Sequence, residues 1–343
     1  MRRWVKVSVA AAVILGVGGY VAQPYVKEWV LIRDACGGGL PRDAVEQLTP
    51  DGSVLDSEES TRTKELGSYT CEVTLAGGEA DGERFVSVAA YTRRDDQDRV
   101  LTSVFTQNGF DQQAPLPEGM PGFVDQFGSI RLLVPCPDLP ADDDGRKHKL
   151  LVSVHAGRDV LTGVPGAAHR MAVALTGAAS DELGCGAEPL KAPERAAPLA
   201  VPPDDPKRVP VARAEGTACG WVTGAGLPAD GRWQIAVGAN DASPSGRCDV
   251  FSAEDGEDTE DPSRLALASW YGDWSNRLTA LRDNGTPRSM TATAQCEGEA
   301  ANYALVGSQD IPGVGVTVRQ RMLKLFAEGE VRRRGCSGLR FHF

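Results

Sequence analysis

The chain carries the stretch CGGGLP at residues 36–41 and a related stretch, CGWVTGAGLP, at residues 219–228. Each begins with cysteine and ends in Gly-Leu-Pro, and a second cysteine follows in Cys71-Glu72-Val73 and in Cys248-Asp249-Val250. In the alternating run at residues 69–75, Cys71 shares one strand face with its apolar neighbours, so that face is expected to point inward. These paired stretches predict that one structural unit occurs twice.

Two later matches keep the same order along the chain. The strand-like run Arg84–Tyr91 corresponds to Arg264–Tyr271, since both open with Arg and close with Tyr seven positions later. The pair Arg170-Met171 precedes Cys185 by 15 and 14 residues, as Arg321-Met322 precedes Cys336. Four coincidences in one order favour a duplication.

The segment before each last cysteine predicts an amphipathic helix, because apolar residues recur three or four positions apart. The stripes are Ala168, Met171, Ala172 and Leu175 in the first copy, and Val318, Met322, Leu325 and Phe326 in the second. A short helix over 43–48, late strands at 150–154 and 303–307, a hairpin turn at 283–286 and an extra loop at 110–127 are also predicted. Strands without regular intervening helices favour an antiparallel sheet with a helix on one face.

The predicted fold class is therefore α+β, with two tandem disulfide-stapled modules after one N-terminal transmembrane helix. The predicted domains are a cytoplasmic tip, anchor and stalk at 1–35, a first module at 36–186, a linker at 187–215 and a second module at 216–343. Seven prolines and no apolar periodicity make the linker extended and semi-rigid.

The eight cysteines form two quartets, Cys36, Cys71, Cys136 and Cys185, then Cys219, Cys248, Cys296 and Cys336. No CxxC and no histidine at ligand spacing accompanies them, so zinc binding and thioredoxin-type chemistry lack support. An even count outside the membrane predicts four disulfides. Pairing within each quartet leaves three arrangements per module, of which first with second and third with fourth is preferred.

The uncharged segment Val7–Val26 is long enough to cross a bilayer once as a helix. Arg2, Arg3 and Lys6 precede it, which predicts a cytoplasmic N-terminus and an exported bulk. The protein is thus expected in the cell membrane as a single-pass protein, with the membrane bound through this helix. A cleaved signal peptide is the alternative, although Tyr20 stands where a small residue should precede a cleavage point at Ala22.

The exported part is acidic. The whole chain has 36 Lys and Arg and 47 Asp and Glu, of which five basic residues and one acid precede Asp34. The rest of the chain therefore has 31 Lys and Arg against 46 Asp and Glu, a net charge of −15. Such a surface repels phosphate backbones, so nucleic acid is excluded as an expected partner.

No phosphate loop, nucleophile elbow, zinc helix or SxxK pair is present, and no catalytic residue, cofactor or metal is predicted. The acidic runs 142–145 and 254–261 lack the EF-hand spacing and are interpreted as solvated loops. Among the four histidines, His155 at a strand end and His169 at a helix start could face a cleft, but no neighbouring nucleophile supports a catalytic role.

Aromatic residues concentrate in the second copy, around Trp270, Tyr271 and Trp274. Trp274, Asp273 and Tyr271 are the predicted ligand-binding residues, since rings beside a carboxylate can stack on a sugar or a peptide side chain. The alternative is that these rings fill the core of the second module.

The anchor, the Ala/Gly/Pro/Arg-rich composition and the Cys-(x)n-Leu-Pro, short helix, Cys-x-Val order resemble single-pass, membrane-anchored exported proteins of Streptomyces-like actinobacteria. Cys36, the helix over 43–48 and Cys71 also resemble the opening of small cell-envelope lipoproteins and sensor ectodomains of those bacteria. Unlike the lipoproteins, this chain has no cysteine directly after its apolar segment. The resemblance implies an envelope location and no particular activity.

The sequence therefore predicts a non-enzymatic ectodomain that binds a wall polymer, a small ligand or a protein partner through tandem modules. Two alternatives stay open. One is an extracytoplasmic hydrolase whose carboxylates meet only in three dimensions, and the other is an envelope sensor or assembly accessory.

Overall fold

The computed structural model describes residues 27–102, 113–117, 120–125, 127–142, 145–156, 165–194, 208–229, 233–238, 245–252, 264–274, 290–296, 299–306, 311 and 313–343. These residues divide into two compact units. The first unit takes its described residues from Met1–Thr92 and Gly128–Pro198, and the second from Arg93–Phe127 and Leu199–Phe343.

The first unit is an antiparallel sheet with helices beside it. Its elements are the helix α1 at 27–38, α2 at Arg42–Leu48, β1 at Val54–Thr63, β2 at Ser68–Ala76, β3 at Arg84–Tyr91, β6 at Ser129–Pro135, β7 at Lys149–Ala156 and α4 at Pro165–Leu183. The strands lie in the order β1-β2-β3-β7-β6, and every neighbouring pair is antiparallel. The predicted short helix and strands of this copy are confirmed.

The helix α4 packs on one face of this sheet through the predicted stripe. Ala168, Met171, Ala172 and Leu175 are all buried, as are Cys71 and its alternate neighbours in β2. Burial of a Leu or Met side chain of this kind stabilises a fold by about 1.5–3 kcal/mol. The apolar inner face is therefore what holds the sheet and helix together.

The glycines of CGGGLP permit the chain to pass close to α4. A Cβ atom on Gly39 would lie only 2.8 Å from the Cβ of Ala178 and 3.1 Å from Cδ2 of Leu175. Gly37 and Gly38 have positive φ angles, a conformation that glycine adopts without a steric penalty. The segment that opens the first copy is thus built to reach the helix that closes it.

The second unit contains the remaining elements. They are α3 at Arg94–Thr102, β4 at Gln113–Pro115, β5 at Gly122–Asp125, β8 at Val209–Pro210, β9 at Trp233–Gly238, β10 at Ser245–Ser252, β11 at Arg264–Tyr271, β12 at Thr291–Cys296, β13 at Glu299–Val306, α5 at Val316–Arg334 and β14 at Ser337–His342. Its antiparallel sheet has the order β14-β12-β13-β11-β10-β9-β8. The closing helix α5 buries Met322, Leu323, Phe326 and Ala327.

Five strands of the second sheet repeat the arrangement of the first. Counted along the chain, the strands of each set lie in the spatial order first, second, third, fifth, fourth, and a helix follows the fifth strand in both. The described residues thus form an α+β fold with two antiparallel sheets.

Four disulfides join Cys36 to Cys71, Cys136 to Cys185, Cys219 to Cys248 and Cys296 to Cys336, as preferred from the sequence. The first bond of each quartet ties the opening segment to the second strand of its set, at β2 and β10. The second bond ties the region of the fourth strand to the cysteine two residues after the closing helix. The quartets therefore have equivalent positions in the two sheets.

One prediction for the first copy is wrong in its local structure. The segment predicted as a loop at 110–127 contains a short antiparallel hairpin, in which Gln113 pairs with Asp125 and Pro115 with Phe123. Phe123 is fully buried, which gives this hairpin an apolar anchor that a surface loop would lack. The predicted linker at 187–215 also contains a short strand, Val209–Pro210, which pairs with β9.

Two other predictions concern residues beyond the described ranges. The predicted span Val7–Val26 and the predicted turn at 283–286 both lie outside them. No helix that the structure describes combines the length and the apolar character needed to cross a bilayer.

We predict that the double variant Cys136→Ser/Cys185→Ser loses about 3–4 kcal/mol of unfolding free energy, because opening a loop of 49 residues restores entropy to the unfolded chain. Denaturant unfolding of the oxidised protein measures this loss. Ser60→Ala/Ser337→Ala is the matched control, since it changes two exposed residues and no disulfide. An unchanged denaturation midpoint for the cysteine variant would contradict the prediction that this disulfide stabilises the fold.

Candidate functional site

The first sheet has an outer face, opposite α4, on which polar side chains form two rows across five strands. Strand registers place Glu59, Glu72, Ser87, His155 and Ser129 side by side in one row. Thr61, Thr70, Ala89, Ser153 and Arg131 form the next row. These ten residues are called the polar rows below.

The polar rows line an open groove of about 430 Å³. Each of the ten residues is exposed or half-buried, whereas the residues that alternate with them, such as Val88 and Val154, are buried against the helix side. Ala89 is the one member without a polar side chain, and its methyl group is the smallest side chain of the ten. A ligand could therefore approach the backbone of the sheet here.

Charge is divided between the two ends of the groove. Glu59 and Glu72 stand directly opposite each other on β1 and β2. Arg131 on β6 lies at the other end beside His155 on β7, and Ser87, Val88 and Ala89 of β3 lie between the two ends. Like charges on a cross-strand pair repel each other, and the Arg84 guanidinium beside Glu72 offsets part of this repulsion.

Several contacts hold these side chains in place. Ser129 Oγ lies 3.3 Å from His155 Nδ1, within hydrogen-bonding distance. Arg84 Nε forms an ion pair with Glu72 Oε2 at 2.8 Å, on side chains that are about half exposed. The hydroxyl of Ser153 is buried and makes no protein hydrogen bond. A ligand oxygen or amide could satisfy that hydroxyl.

The corresponding face of the second sheet is closed. Arg247, Asp249, Trp270 and Asn302 point to that side and are between 0% and 6% exposed. Asp249 accepts hydrogen bonds from Arg247 Nε at 2.8 Å and from Arg264 Nε at 3.2 Å, so its charge is paired. The hairpin β4–β5 contributes to this burial, because Ser245 Oγ donates to Gln113 Oε1 at 2.7 Å.

The aromatic residues predicted to bind ligand lie in the core of the second unit. Trp274 is 7% exposed and its ring lies 5.0 Å from that of Phe123, centroid to centroid. Tyr271 is buried as well, and the side chain of Asp273 is outside the described part of the structure. Tyr271 and Trp274 therefore do not lie on an open surface, and the role of the three residues in ligand binding stays a prediction.

Tyr271 belongs to a buried polar network on the helix side of the second sheet. Its hydroxyl donates to Glu330 on α5 and lies 2.9 Å from Ser269 Oγ. Arg333 Nη2 approaches Glu330 at 2.7 Å, and the Arg334 guanidinium stacks on the Tyr271 ring at 3.8 Å. Burial raises the pKa of Glu330, and the Tyr271 hydrogen bond and Arg334 charge partly oppose this. Burial also raises the pKa of Tyr271.

The remaining predicted candidates do not form a second site. His169 is buried in α4, and His148 Nδ1 lies 3.1 Å from the carbonyl oxygen of Thr92. Asp142 accepts a hydrogen bond from the backbone N–H of Arg146, and the run 254–261 lies outside the described ranges. Within those ranges no three His, Cys, Asp or Glu side chains come together as metal ligands do.

Sequence reasoning identified only His155 among the ten residues of the polar rows. The rest are common surface residues, spread from residue 59 to residue 155, and only the strand registers bring them together. A weak signal existed, because Thr70, Glu72, Ser87, Ser153 and His155 occupy alternate positions between apolar residues.

We predict that Trp274→Ala lowers the free energy of unfolding by about 3 kcal/mol or more, because a buried ring packed on Phe123 is removed. Trp29→Ala is the matched control, since Trp29 is 52% exposed and its loss should change stability by about 0.5 kcal/mol or less. Denaturant titration measures both. Equal, small effects of the two changes would be inconsistent with a core position for Trp274.

A second prediction concerns pH. Because the folded pKa of Glu330 is raised, its stabilising contribution is fully present below the unfolded value of about 4.3 and is lost as pH rises through the folded pKa. Wild type should therefore lose stability relative to Glu330→Gln as pH rises from 4 to 7. Denaturation midpoints at each pH test this. The control Glu328→Gln, on the same helix, should follow wild type, and a constant difference between wild type and Glu330→Gln would refute the assignment.

No protein-family model, no curated protein and no solved structure matches this chain.

Proposed function

We propose that this protein is a non-enzymatic binding protein of the cell envelope, which holds a polar ligand on the polar rows of its first unit. The observation that carries the proposal is the contrast between the two sheets. One outer face is open and polar across five strands, while the equivalent face of the other sheet is buried. The charged and hydroxyl side chains of the open face are groups that can fix the orientation of a bound polar ligand.

The location outside the cytoplasm is part of the proposal. Four disulfides among the described residues are typical of an oxidising compartment, and none of the cysteines is free. The apolar segment Val7–Val26 would hold the chain at the membrane. The resemblance to anchored exported proteins agrees with this location.

A duplicated module also belongs to the proposal, supported by the shared strand order and the equivalent disulfides. The two copies would then serve different purposes. The first presents its outer face to a ligand, and the second uses the same face for packing, as the burial of Asp249 and Trp270 indicates. Because only the first copy has an open outer face, we do not favour binding through equivalent surfaces on both copies.

A hydrolase is the second candidate, because Glu59 and Glu72 meet on one face although they are 13 positions apart in sequence. Paired carboxylates of this kind occur in glycoside hydrolases. A general acid, however, works best when sheltered from water, and Glu59 is exposed while the Glu72 side chain is 41% exposed and paired with Arg84. Binding is therefore the function that this geometry supports better.

Photo-cross-linking in cells tests the proposed function. A benzoylphenylalanine in place of Ala89, on the floor of the groove, should form an adduct with the bound ligand in the full chain. The same residue in place of Leu66, which is 52% exposed on the turn between β1 and β2, is the control. The expected result is an adduct at position 89 at several times the yield at position 66, and equal yields would overturn the proposal.

A further inference from the structure

We infer that a groove between α1 and α2 of the first unit lies against the membrane surface, where it contacts the headgroup layer of a phospholipid bilayer. The groove has a volume of about 550 Å³, and Trp29, Ile32 and Leu40 form its apolar lining. It is called the helix groove below. The inference rests on the membrane location within the proposed function and adds the surface that meets the bilayer.

The position of the helix groove along the chain points to the bilayer. The uncharged segment Val7–Val26 ends immediately before α1 begins at residue 27. Trp29 is three positions beyond Val26, which is about 4.5 Å along a helix. The headgroup layer on each side of the hydrocarbon is about 5–7 Å thick. With that segment in the membrane, Trp29 therefore lies at headgroup level, where tryptophan is enriched.

Apolar side chains are exposed where α1 begins. Trp29 is 52% exposed and its neighbour Val30 is 39% exposed. Six large apolar side chains are exposed among the described residues, and these two neighbours are the only ones that adjoin in sequence. The Arg33 guanidinium lies 4.8 Å from the centre of the Trp29 ring, so a charge and a ring are presented together, as the boundary between lipid and water requires. Contact with the bilayer would remove this apolar area from water.

The rim of the helix groove has no net charge. It carries two acidic and two basic side chains, Glu28, Glu46, Arg33 and Arg42. Arg42 is paired with Glu46 at 2.8 Å, and Arg33 with Asp34 at 2.6 Å. The chain from Asp34 onward has a net charge of −15, which anionic headgroups would repel. A rim of balanced, internally paired charges is therefore a part of this acidic protein that can approach a membrane.

Both ends of α1 are fixed to the first unit. Lys27 Nζ forms an ion pair with Asp56 Oδ1 at 2.6 Å, and Cys36 is bonded to Cys71, the cross-strand partner of Ser60. The nine positions from 27 to 36 span about 13 Å as a helix, and the four from 56 to 60 span about 13 Å as a strand. The helix and β1 therefore run side by side, and a bilayer that meets α1 also meets the unit.

Photo-cross-linking in a reconstituted membrane tests the inference. The full chain is placed in nanodiscs of dioleoylphosphatidylcholine, with a benzoylphenylalanine in place of Trp29 or of Arg42. Arg42 lines the same groove from α2, 13 positions after Trp29, so lipid reaches both positions only if the groove itself lies against the bilayer.

Leu66 is the control position, since it is also 52% exposed. It follows the far end of β1, where Thr63 is about 23 Å along the strand from Asp56. The expected result is a phospholipid adduct, detected by intact-mass spectrometry, at positions 29 and 42 in several times the yield at position 66. An adduct at position 29 alone, equal yields at all three positions, or an adduct to a second protein chain in place of lipid would overturn the inference.

Fluorescence quenching gives a second measurement without an unnatural residue. The tryptophan emission of wild type minus that of Trp29→Phe, both as full chains in nanodiscs, isolates the signal of Trp29. Brominated phosphatidylcholine should quench most of this difference signal, and an unquenched signal would refute the contact.

The inference and the proposed function fail through different results. A full chain that does not stay with the nanodisc would overturn both the inference and the membrane location. A chain that stays in the nanodisc without lipid adducts at positions 29 and 42 would overturn the inference alone. The binding role of the polar rows is decided separately, by the cross-link at position 89.

Discussion

One helix can cover only one face of a sheet, and this constraint governs both units. In each, the closing helix packs on the face that carries the cysteine of the second strand, through Met171 and Leu175 in one case and Met322 and Phe326 in the other. The opposite face must then be polar or be covered by something else. In the first unit the opposite face is polar and open, and it is the candidate binding surface. In the second unit the opposite face is covered and belongs to the core.

The chemistry of the two outer faces follows from that choice. On the open face, the ten residues of the polar rows are exposed or half-buried, so water can satisfy most of their polar atoms. On the closed face, a charge such as Asp249 must be paired, and it lies between two arginines. Similar strand orders therefore carry very different side chains on the side away from the helix.

Hydrophobic periodicity and cysteine spacing correctly predicted the apolar contacts between each closing helix and its sheet. The stripes around Met171 and Met322 were readable because a buried helix face repeats every three or four residues, and alternation placed Cys71 inward in the same way. The residues that line the groove on the outer face could not be predicted from the sequence. Polar residues such as Glu59 and Ser129 carry no periodic signal that separates a groove from any wet surface, and their proximity depends on registers between strands far apart in sequence. The hairpin β4–β5 was missed because its short strands lie in a Pro- and Gly-rich stretch, where composition favours a loop.

The Cys36–Cys71 bond also determines how the first unit would respond to mechanical tension applied at its N-terminal end. A force entering through α1 would leave the backbone at Cys36 and pass through the sulfur atoms into the middle of β2. The residues between the two cysteines, which include α2 and β1, would carry no load. Strand β1 could not be peeled from the sheet from that end, because the load would bypass it and enter the sheet at Cys71.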